Sequence, residues 1–84
     1  SMVTNTATGA STELTKNELR ILSLLLGRAG KIVSRPAIMQ DLWDSDAFVD
    51  DNTLTVNINR LRTTLEKIGI KGYLTTHRGQ GYSV

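Results

Sequence analysis

Residues 50–69 read DDNTLTVNINRLRTTLEKIG, and they hold the clearest periodic pattern in the chain. Its apolar residues recur at steps of four and three, at Leu54, Ile58, Leu61, Leu65 and Ile68. At about 100° per residue, side chains with this spacing fall within one narrow arc of an α-helix. Asp50 or Asp51 is placed to cap the start of the helix, and Gly69 is placed to end it. The pattern predicts a helix over about residues 51–68 that buries a single apolar stripe.

The opposite face of this predicted helix is polar and basic, with one valine. It consists of Asn52, Val56, Asn59, Arg60, Thr63 and Lys67. In the major groove of DNA, asparagine pairs with adenine, arginine pairs with guanine, and an aliphatic side chain packs on the thymine methyl group. The alternative is an ordinary surface helix. The repeated asparagines at 52, 57 and 59 argue against it, because asparagine is a poor helix former that gains no packing on a solvent-exposed face.

A shorter helix is predicted near the start of the chain, at about residues 16–28. Thr15 and Glu18 form a capping box, in which each side chain accepts a hydrogen bond from the backbone N–H of the other residue. Gly30 is well placed to end the helix. The predicted buried stripe is Leu19, Leu22, Leu25, Leu26 and Ala29.

Another helix is predicted to begin after Ser34, which is a good N-terminal cap, and to carry Pro36 in its first turn. The sequence Asp-Ser-Asp that begins at Asp44 is poor helix material, so the helix is expected to end there. In the loop that follows, Phe48 and Val49 are expected to pin the chain to the core. The predicted apolar face of the helix is Ile38, Met39, Leu42 and Trp43.

Two β-hairpins are predicted outside the helices. At the N-terminus, segments 2–6 and 12–15 are rich in threonine and are separated by a turn that contains a glycine. At the C-terminus, segments 73–76 and 81–84 flank a turn with Arg78 at its tip. An arginine there suits the narrow minor groove of A·T-rich DNA, whose negative potential attracts it. Three helices followed by a hairpin predict an α+β fold, a winged helix-turn-helix with a C-terminal β-hairpin wing.

Composition argues against several other classes of protein. An 84-residue chain has one small core, and no cysteine and a single histidine, His77, allow neither a disulfide framework nor a Cys/His zinc site. No metal or cofactor is expected. His77 is interpreted as a bystander rather than part of an enzyme, because no serine and carboxylate arrangement accompanies it. The longest apolar run, residues 24–26, is too short for a membrane span, and no charged-then-apolar leader is present, so we expect a cytoplasmic protein without membrane association.

The formal net charge of +2 is unevenly distributed. Residues 1–40 contain five Lys or Arg and two Glu, for a charge of +3, and residues 52–84 contain five Lys or Arg and one Glu, for +4. Residues 41–51 contain five Asp and no base, for a charge of −5. A basic C-terminal part beside an acidic stretch suggests one surface for a polyanion and another for a different partner.

Several motifs together resemble the C-terminal effector domain of OmpR/PhoB-type response regulators. These motifs are Leu14-Thr15-Lys16-x-Glu18, Gly30-Lys31-x-Val33-Ser34-Arg35, Leu42-Trp43, Asn52-Thr53-Leu54-x-Val56-x-Ile58-x-Arg60-Leu61-Arg62, Leu65-Glu66 and Thr76-x-Arg78-Gly79-x-Gly81-Tyr82. The resemblance implies a winged-helix DNA-binding domain over residues 12–84. In the family an N-terminal antiparallel sheet precedes it, and residues 1–11 are expected to hold a cloning scar and the weak N-terminal β-hairpin that remains of that sheet.

The resemblance also implies which residues contact DNA. Most of them lie on the helix at 51–68, the recognition helix of the family. Trp43 and Thr76 correspond to phosphate contacts, Arg78 corresponds to the minor-groove contact of the wing, and Tyr82 is expected beside a phosphate. The full set is Trp43, Asn52, Thr53, Val56, Asn57, Asn59, Arg60, Arg62, Thr76, Arg78 and Tyr82.

Three positions depart from the family pattern. The family usually has arginine where this chain has Asn52, a basic residue where it has Asn59, and commonly histidine where it has Asn57. Less of the affinity is therefore expected to come from phosphate charge. Residues 51–59 resemble the subgroup that answers cell-envelope and peptide-antibiotic stress in Firmicutes.

The resemblance further implies partners. A full-length protein of this family carries a receiver domain, is phosphorylated through a sensor histidine kinase in a phosphorelay, and occupies tandem half-sites on double-stranded DNA. The isolated domain is expected to be a monomer. The loop from Asp44 to Asp51 corresponds to a segment that contacts RNA polymerase in this family, with candidate contacts at Asp44, Asp46, Phe48 and Asp50. The alternative function is a winged-helix module that docks RNA polymerase without binding specific DNA.

Overall fold

A computed structural model describes all residues from Ser1 to Val84, which form three α-helices between two β-hairpins. The helices are α1 (Lys16–Gly27), α2 (Arg35–Asp44) and α3 (Asp51–Lys67). The strands are β1 (Met2–Thr4) and β2 (Ser11–Glu13) in the first hairpin, and β3 (Thr75–His77) and β4 (Gly81–Ser83) in the second. This order confirms the predicted winged helix-turn-helix. No helix is long and apolar enough to cross a bilayer.

Each helix begins after the residue predicted to cap it. The Thr15 hydroxyl accepts from the Glu18 N–H at 3.2 Å, and the Glu18 carboxylate accepts from the Thr15 N–H at 3.3 Å, which confirms the capping box. Ser34 caps α2 by accepting from the N–H three residues on, at 3.2 Å. Of the two candidates for α3, Asp50 is the cap, and its Oδ1 accepts from the Thr53 N–H at 2.7 Å.

The core lies where α1 and α2 pack against one face of α3. The stripe predicted on α3 is buried, with exposed fractions of 0% for Leu54 and Leu61 and no more than 5% for the other three members. The connections and the wing complete the core with Val33, Val49, Leu74 and Tyr82. The central helix is therefore held by its apolar face, and its opposite face is free.

The predicted core is wrong in three places, one of which is Trp43 of α2, predicted on the apolar face but 48% exposed. On α1, Leu26 is 47% exposed and Ala29 lies exposed beyond the helix, whereas Ile21 is fully buried. The buried positions of α1 run 18, 21, 22 and 25, so of the three consecutive leucines the middle one is fully buried, Leu24 packs partly buried against the core, and Leu26 is exposed. In the loop before α3, Val49 is 5% exposed as predicted, but Phe48 is 76% exposed. Neighbouring side chains of such a non-helical segment point in different directions, so only one of them enters the core.

The wing is bonded to the segment that precedes α2. The Val33 N–H donates to the Tyr82 carbonyl at 2.8 Å, and the Tyr82 N–H donates to the Val33 carbonyl at 2.9 Å. Gly81 permits this approach, because a Cβ at its position would lie 2.0 Å from the Val33 carbonyl oxygen, and its φ of +148° disfavours other residues. Within the antiparallel wing, Thr76 lies directly opposite Tyr82.

Leu61→Ala is expected to destabilise the domain by about 2–5 kcal/mol, because it removes a fully buried side chain at the centre of the core. Val56→Ala, on the exposed face of the same helix, is the matched control and is expected to stay within about 0.5 kcal/mol. Urea unfolding of both variants measures the difference. A loss below about 1 kcal/mol for Leu61→Ala would show that the stripe is not the core.

Candidate nucleic-acid interface

The exposed face of α3 presents hydrogen-bonding and apolar groups to solvent. Asn52, Thr53, Asn59 and Arg60 are exposed, and Val56 between them is 46% exposed. No carboxylate occurs on α3 between Asp51 and Glu66, so residues 52–65 contribute only neutral or cationic side chains. Amide, guanidinium and methyl groups on one rigid helix face are the groups that read base edges in a major groove.

Asn57 does not belong to this exposed face. The residue is 7% exposed, and its Nδ2 donates to the Thr53 carbonyl one turn earlier, at 2.9 Å. Asn57 is counted in the sequence with Asn52 and Asn59 as an asparagine that gains no packing, and its burial shows that this is wrong for Asn57. Its amide stabilises α3 internally, and this accounts for a polar residue in a buried position without an unpaired donor.

Arg62 connects α3 to the wing. Its Nη1 donates to Asn59 Oδ1 at 3.1 Å, and its Nη2 donates to the Thr76 hydroxyl at 2.5 Å. Because the amide oxygen of Asn59 accepts from Arg62, the amide NH₂ of Asn59 remains available as a donor. The Thr76 hydroxyl likewise keeps its own proton to donate to another acceptor.

The wing itself carries its cation at the tip. Arg78 is exposed in the turn between β3 and β4, and the next residue, Gly79, has a φ of +71° that favours glycine. His77 Nε2 lies 2.7 Å from the Ser83 hydroxyl, so the single histidine forms a hydrogen bond within the hairpin. Arg78 is thus a projecting side chain on a short two-stranded support.

Tyr82 is a buried residue, at 7% exposed, whose hydroxyl accepts from Arg35 Nη1 at 2.6 Å. The family resemblance implies a place beside a phosphate for Tyr82 and implies no contact for Arg35. The sequence feature that indicates a partner for Arg35 is its position as the first residue of a helix, where the helix dipole disfavours a cation. A cation in such a place calls for a partner elsewhere in the fold.

Trp43 is 48% exposed at the end of α2, but its indole N–H is already used. Nε1 donates to the Val49 carbonyl at 3.2 Å, so this group is not free to donate to a phosphate in this conformation. The Trp43 ring meets Phe48 edge to face, with ring centroids 5.9 Å apart. The two aromatic side chains form an exposed apolar ridge at the acidic loop, residues 44–51, to which Phe48 belongs.

The acidic stretch does not form one uniform surface. Asp41 pairs with Arg20 of α1 at 2.8 Å, and Asp50 is occupied as the cap of α3. Asp44 accepts from Gln40, and Asp46 is exposed. Asp51 contacts Arg35 at 3.3 Å but its side chain is 77% exposed. The exposed carboxylates on the N-terminal side of Phe48 in this loop are those of Asp44 and Asp46, and Asp51 is a third exposed carboxylate at the start of α3.

Three helices with an arginine-tipped hairpin and one free helix face define a winged-helix DNA-binding domain. The family described as "Transcriptional regulatory protein, C terminal" matches residues 9–84, and this chain belongs to it. It is a C-terminal DNA-binding domain of the OmpR/PhoB type of response regulator, a family of transcriptional regulators and not of enzymes.

Individual relatives agree with this assignment. The sensory transduction protein BceR of Bacillus subtilis (strain 168) is 51% identical over 72 residues, which are 86% of this chain and 31% of that protein. Among solved structures, the C-terminal domain of the nisin resistance regulator NsrR, a lantibiotic response regulator, has a TM-score of 0.81 and 40% identity over 88% of this chain and 75% of its own. The AdeR DNA-binding domain in complex with an intercistronic region has a TM-score of 0.79 and 26% identity, over 99% and 92%. The chain spans about a third of the length of the curated relatives it matches.

The pH dependence of stability should report the Asp50 cap. The hydrogen bonds from Thr53 lower the pKa of Asp50 below its ordinary value of 3.8. A carboxyl with a lowered pKa in the folded chain stabilises it above the ordinary value, and this contribution is lost as the pH falls through the folded pKa. Asp50→Asn keeps a capping oxygen without the charge, so wild type should be the more stable at pH 7 and the difference should vanish in acid.

Urea unfolding of both proteins from pH 7 down to pH 2 measures this difference. Asp46→Asn, which neutralises an exposed carboxylate of the same loop, is the control and should show no such convergence with wild type. A difference between wild type and Asp50→Asn that stays constant with pH would contradict a charged cap.

Proposed function

We propose that this domain binds a specific sequence of double-stranded DNA, with α3 in the major groove and the wing at the adjacent minor groove, and thereby regulates transcription. The observation that carries the proposal is the division of α3 into a buried apolar stripe and an opposite exposed face of asparagine, valine and arginine. The AdeR complex supports it, because a domain of the same fold is described there on DNA.

Each exposed residue of α3 has a role in this proposal. Asn52 and Asn59 donate to base-edge acceptors, Val56 packs on a thymine methyl group, and Arg60 makes a bidentate contact to guanine. Thr53 is exposed on the same face near the start of the helix, where it contacts the DNA backbone or a base edge. Asn57 is left out of this set because it is buried.

Phosphate contacts come from hydroxyl groups that the domain has already oriented. The Thr76 and Tyr82 hydroxyls each accept from an arginine, Arg62 and Arg35 respectively, and each retains a proton to donate to a phosphate oxygen. Trp43 contributes its ring edge rather than its N–H. Neutral Asn52 and Asn59 in place of cations should make binding less dependent on salt than in relatives with basic residues there.

The full-length protein is proposed to act as a two-component response regulator. A receiver domain, phosphorylated by a sensor histidine kinase, would bring two such domains together on tandem half-sites about one helical turn, or about 10 bp, apart. The isolated domain is proposed to be a monomer. The 40% identity to NsrR, which is described as a lantibiotic response regulator, supports a role in the response to peptide antibiotics. Selecting bound sites from a random duplex pool tests sequence-specific binding and identifies the half-site.

A second function is favoured by the exposed ridge of Trp43 and Phe48 beside Asp44 and Asp46. A large aromatic side chain that is 76% exposed marks a contact surface, and its carboxylate neighbours suit a basic partner. We propose that this loop docks RNA polymerase while α3 holds DNA. Phe48→Ala should lower transcription from a regulated promoter while leaving DNA affinity unchanged.

Arg60 and Arg78 should have different signatures in DNA binding. Arg60→Ala is expected to cost about 1–3 kcal/mol on the cognate site and to relax the preference at one base position. Arg78→Ala should weaken binding most where the flank is A·T-rich, because a minor-groove cation is lost. For the same reason the salt slope, the steepness with which the logarithm of the binding constant falls with the logarithm of the salt concentration, should decrease by about one. Titrations against cognate, point-mutated and flank-swapped duplexes at several salt concentrations separate the two. If Arg78→Ala removed the preference for a core base instead, helix and wing would be wrongly assigned.

The acidic loop should lie away from the duplex, because its carboxylates would be repelled by phosphates. Asp44→Asn combined with Asp46→Asn is therefore expected to change specific DNA affinity by less than about threefold, or about 0.7 kcal/mol. Fluorescence anisotropy with the selected half-site measures it. A tenfold gain in affinity would place the loop against the DNA backbone and contradict this arrangement.

A further inference from the structure

One guanidinium joins three separate parts of the domain. Arg35, the first residue of α2, donates through Nη1 to the Tyr82 hydroxyl of the wing at 2.6 Å. Through Nη2 it donates to the Asp51 carbonyl at 2.7 Å and to the Thr55 hydroxyl at 3.0 Å, both in the first turns of α3. The same Nη2 lies 3.3 Å from Asp51 Oδ1, and the guanidinium carbon lies 5.9 Å from the centre of the Tyr82 ring.

This arrangement is not explained by the stability of the helices. The N-terminus of a helix carries a partial positive charge, and Arg35 lies at the N-termini of both α2 and α3. Its only anionic partner is Asp51, whose side chain is 77% exposed. The guanidinium is thus placed where two helix dipoles oppose it, while its donors span from the wing to the recognition helix.

We propose that Arg35 is a positioning residue for DNA recognition, because it fixes the wing relative to the start of α3. The core half-site read by α3 and the A·T-rich flank contacted by the wing must then lie at one fixed separation along the DNA. This inference rests on the proposed function. The wing is also attached at Thr76, which lies opposite Tyr82, through Arg62. Two arginines from different helices therefore hold one cross-strand pair.

The geometry favours positioning over a direct phosphate contact by Arg35. Both terminal nitrogens of the guanidinium already donate within the domain, and the side chain is only 31% exposed. The planar guanidinium of Arg35 reaches Tyr82 with one terminal nitrogen and Asp51 with the other. A lysine ammonium is a single point donor and cannot reproduce this arrangement. A phosphate contact, in contrast, would tolerate lysine, because charge is what it needs.

The test uses a set of duplexes in which the A·T-rich flank is moved by one or two base pairs relative to the core half-site. Wild type should prefer one separation by about tenfold, which corresponds to about 1.4 kcal/mol. Arg35→Met and Arg35→Lys should both reduce that preference to within about threefold. The salt slope should stay unchanged, because neither variant removes a cation that contacts a phosphate. In the free domain, hydrogen exchange of the Tyr82 N–H should be faster in both variants. Arg28→Met, which removes an exposed cation at the end of α1, is the matched control and should retain the wild-type preference.

Several results would overturn the inference. Retention of the separation preference in Arg35→Lys would do so, and this variant keeps the test decisive if Arg35→Met fails to fold. A salt slope lowered by about one in Arg35→Met, with Arg35→Lys like wild type, would identify a phosphate contact instead. Equal binding of wild type to all separations would refute positioning alone, whereas failure of wild type to prefer any sequence would refute the proposed function.

Discussion

Burial of one face of α3 determines how α1, α2 and the connecting segments pack. Four of its side chains are no more than 2% exposed, and burying each contributes about 1.5–3 kcal/mol before opposing terms. That sum is comparable to the whole stability of a small domain, about 5–15 kcal/mol. The recognition helix is therefore the element around which α1 and α2 fold. Its outer face, freed from any role in packing, is available for base-edge contacts.

Polar contacts hold the wing to α3 in addition to the apolar packing of Leu74 and Tyr82 in the core. Backbone bonds between Val33 and Tyr82 attach it next to α2, and the arginines at 35 and 62 attach it to both halves of α3. Each of these bonds orders a group before DNA arrives. Groups ordered in advance lose less conformational entropy on association, so the same contacts give a higher affinity.

Local patterns in the sequence were sufficient for the helices, their caps and the order of elements. The spacing of Leu54 to Ile68 and the capping residues Thr15, Ser34 and Asp50 act within a few residues, where periodicity and side-chain chemistry decide. The errors arose where a partner is distant or where the direction of a side chain matters. Arg35 and Tyr82 are 47 residues apart, and no local pattern reveals that bond. Whether Phe48 or Val49 enters the core depends likewise on the path of the loop.

The acidic loop and the DNA-reading face are joined at a single place. Asp50 belongs to the loop and is also the cap of α3, and Trp43 holds the loop through the Val49 carbonyl just before it. The loop can therefore not shift far without either losing the cap or carrying the first turn of α3 with it. Asn52 and Thr53 lie in that first turn. A protein bound to the loop and a duplex bound to α3 would therefore both constrain the backbone of the first turn of α3.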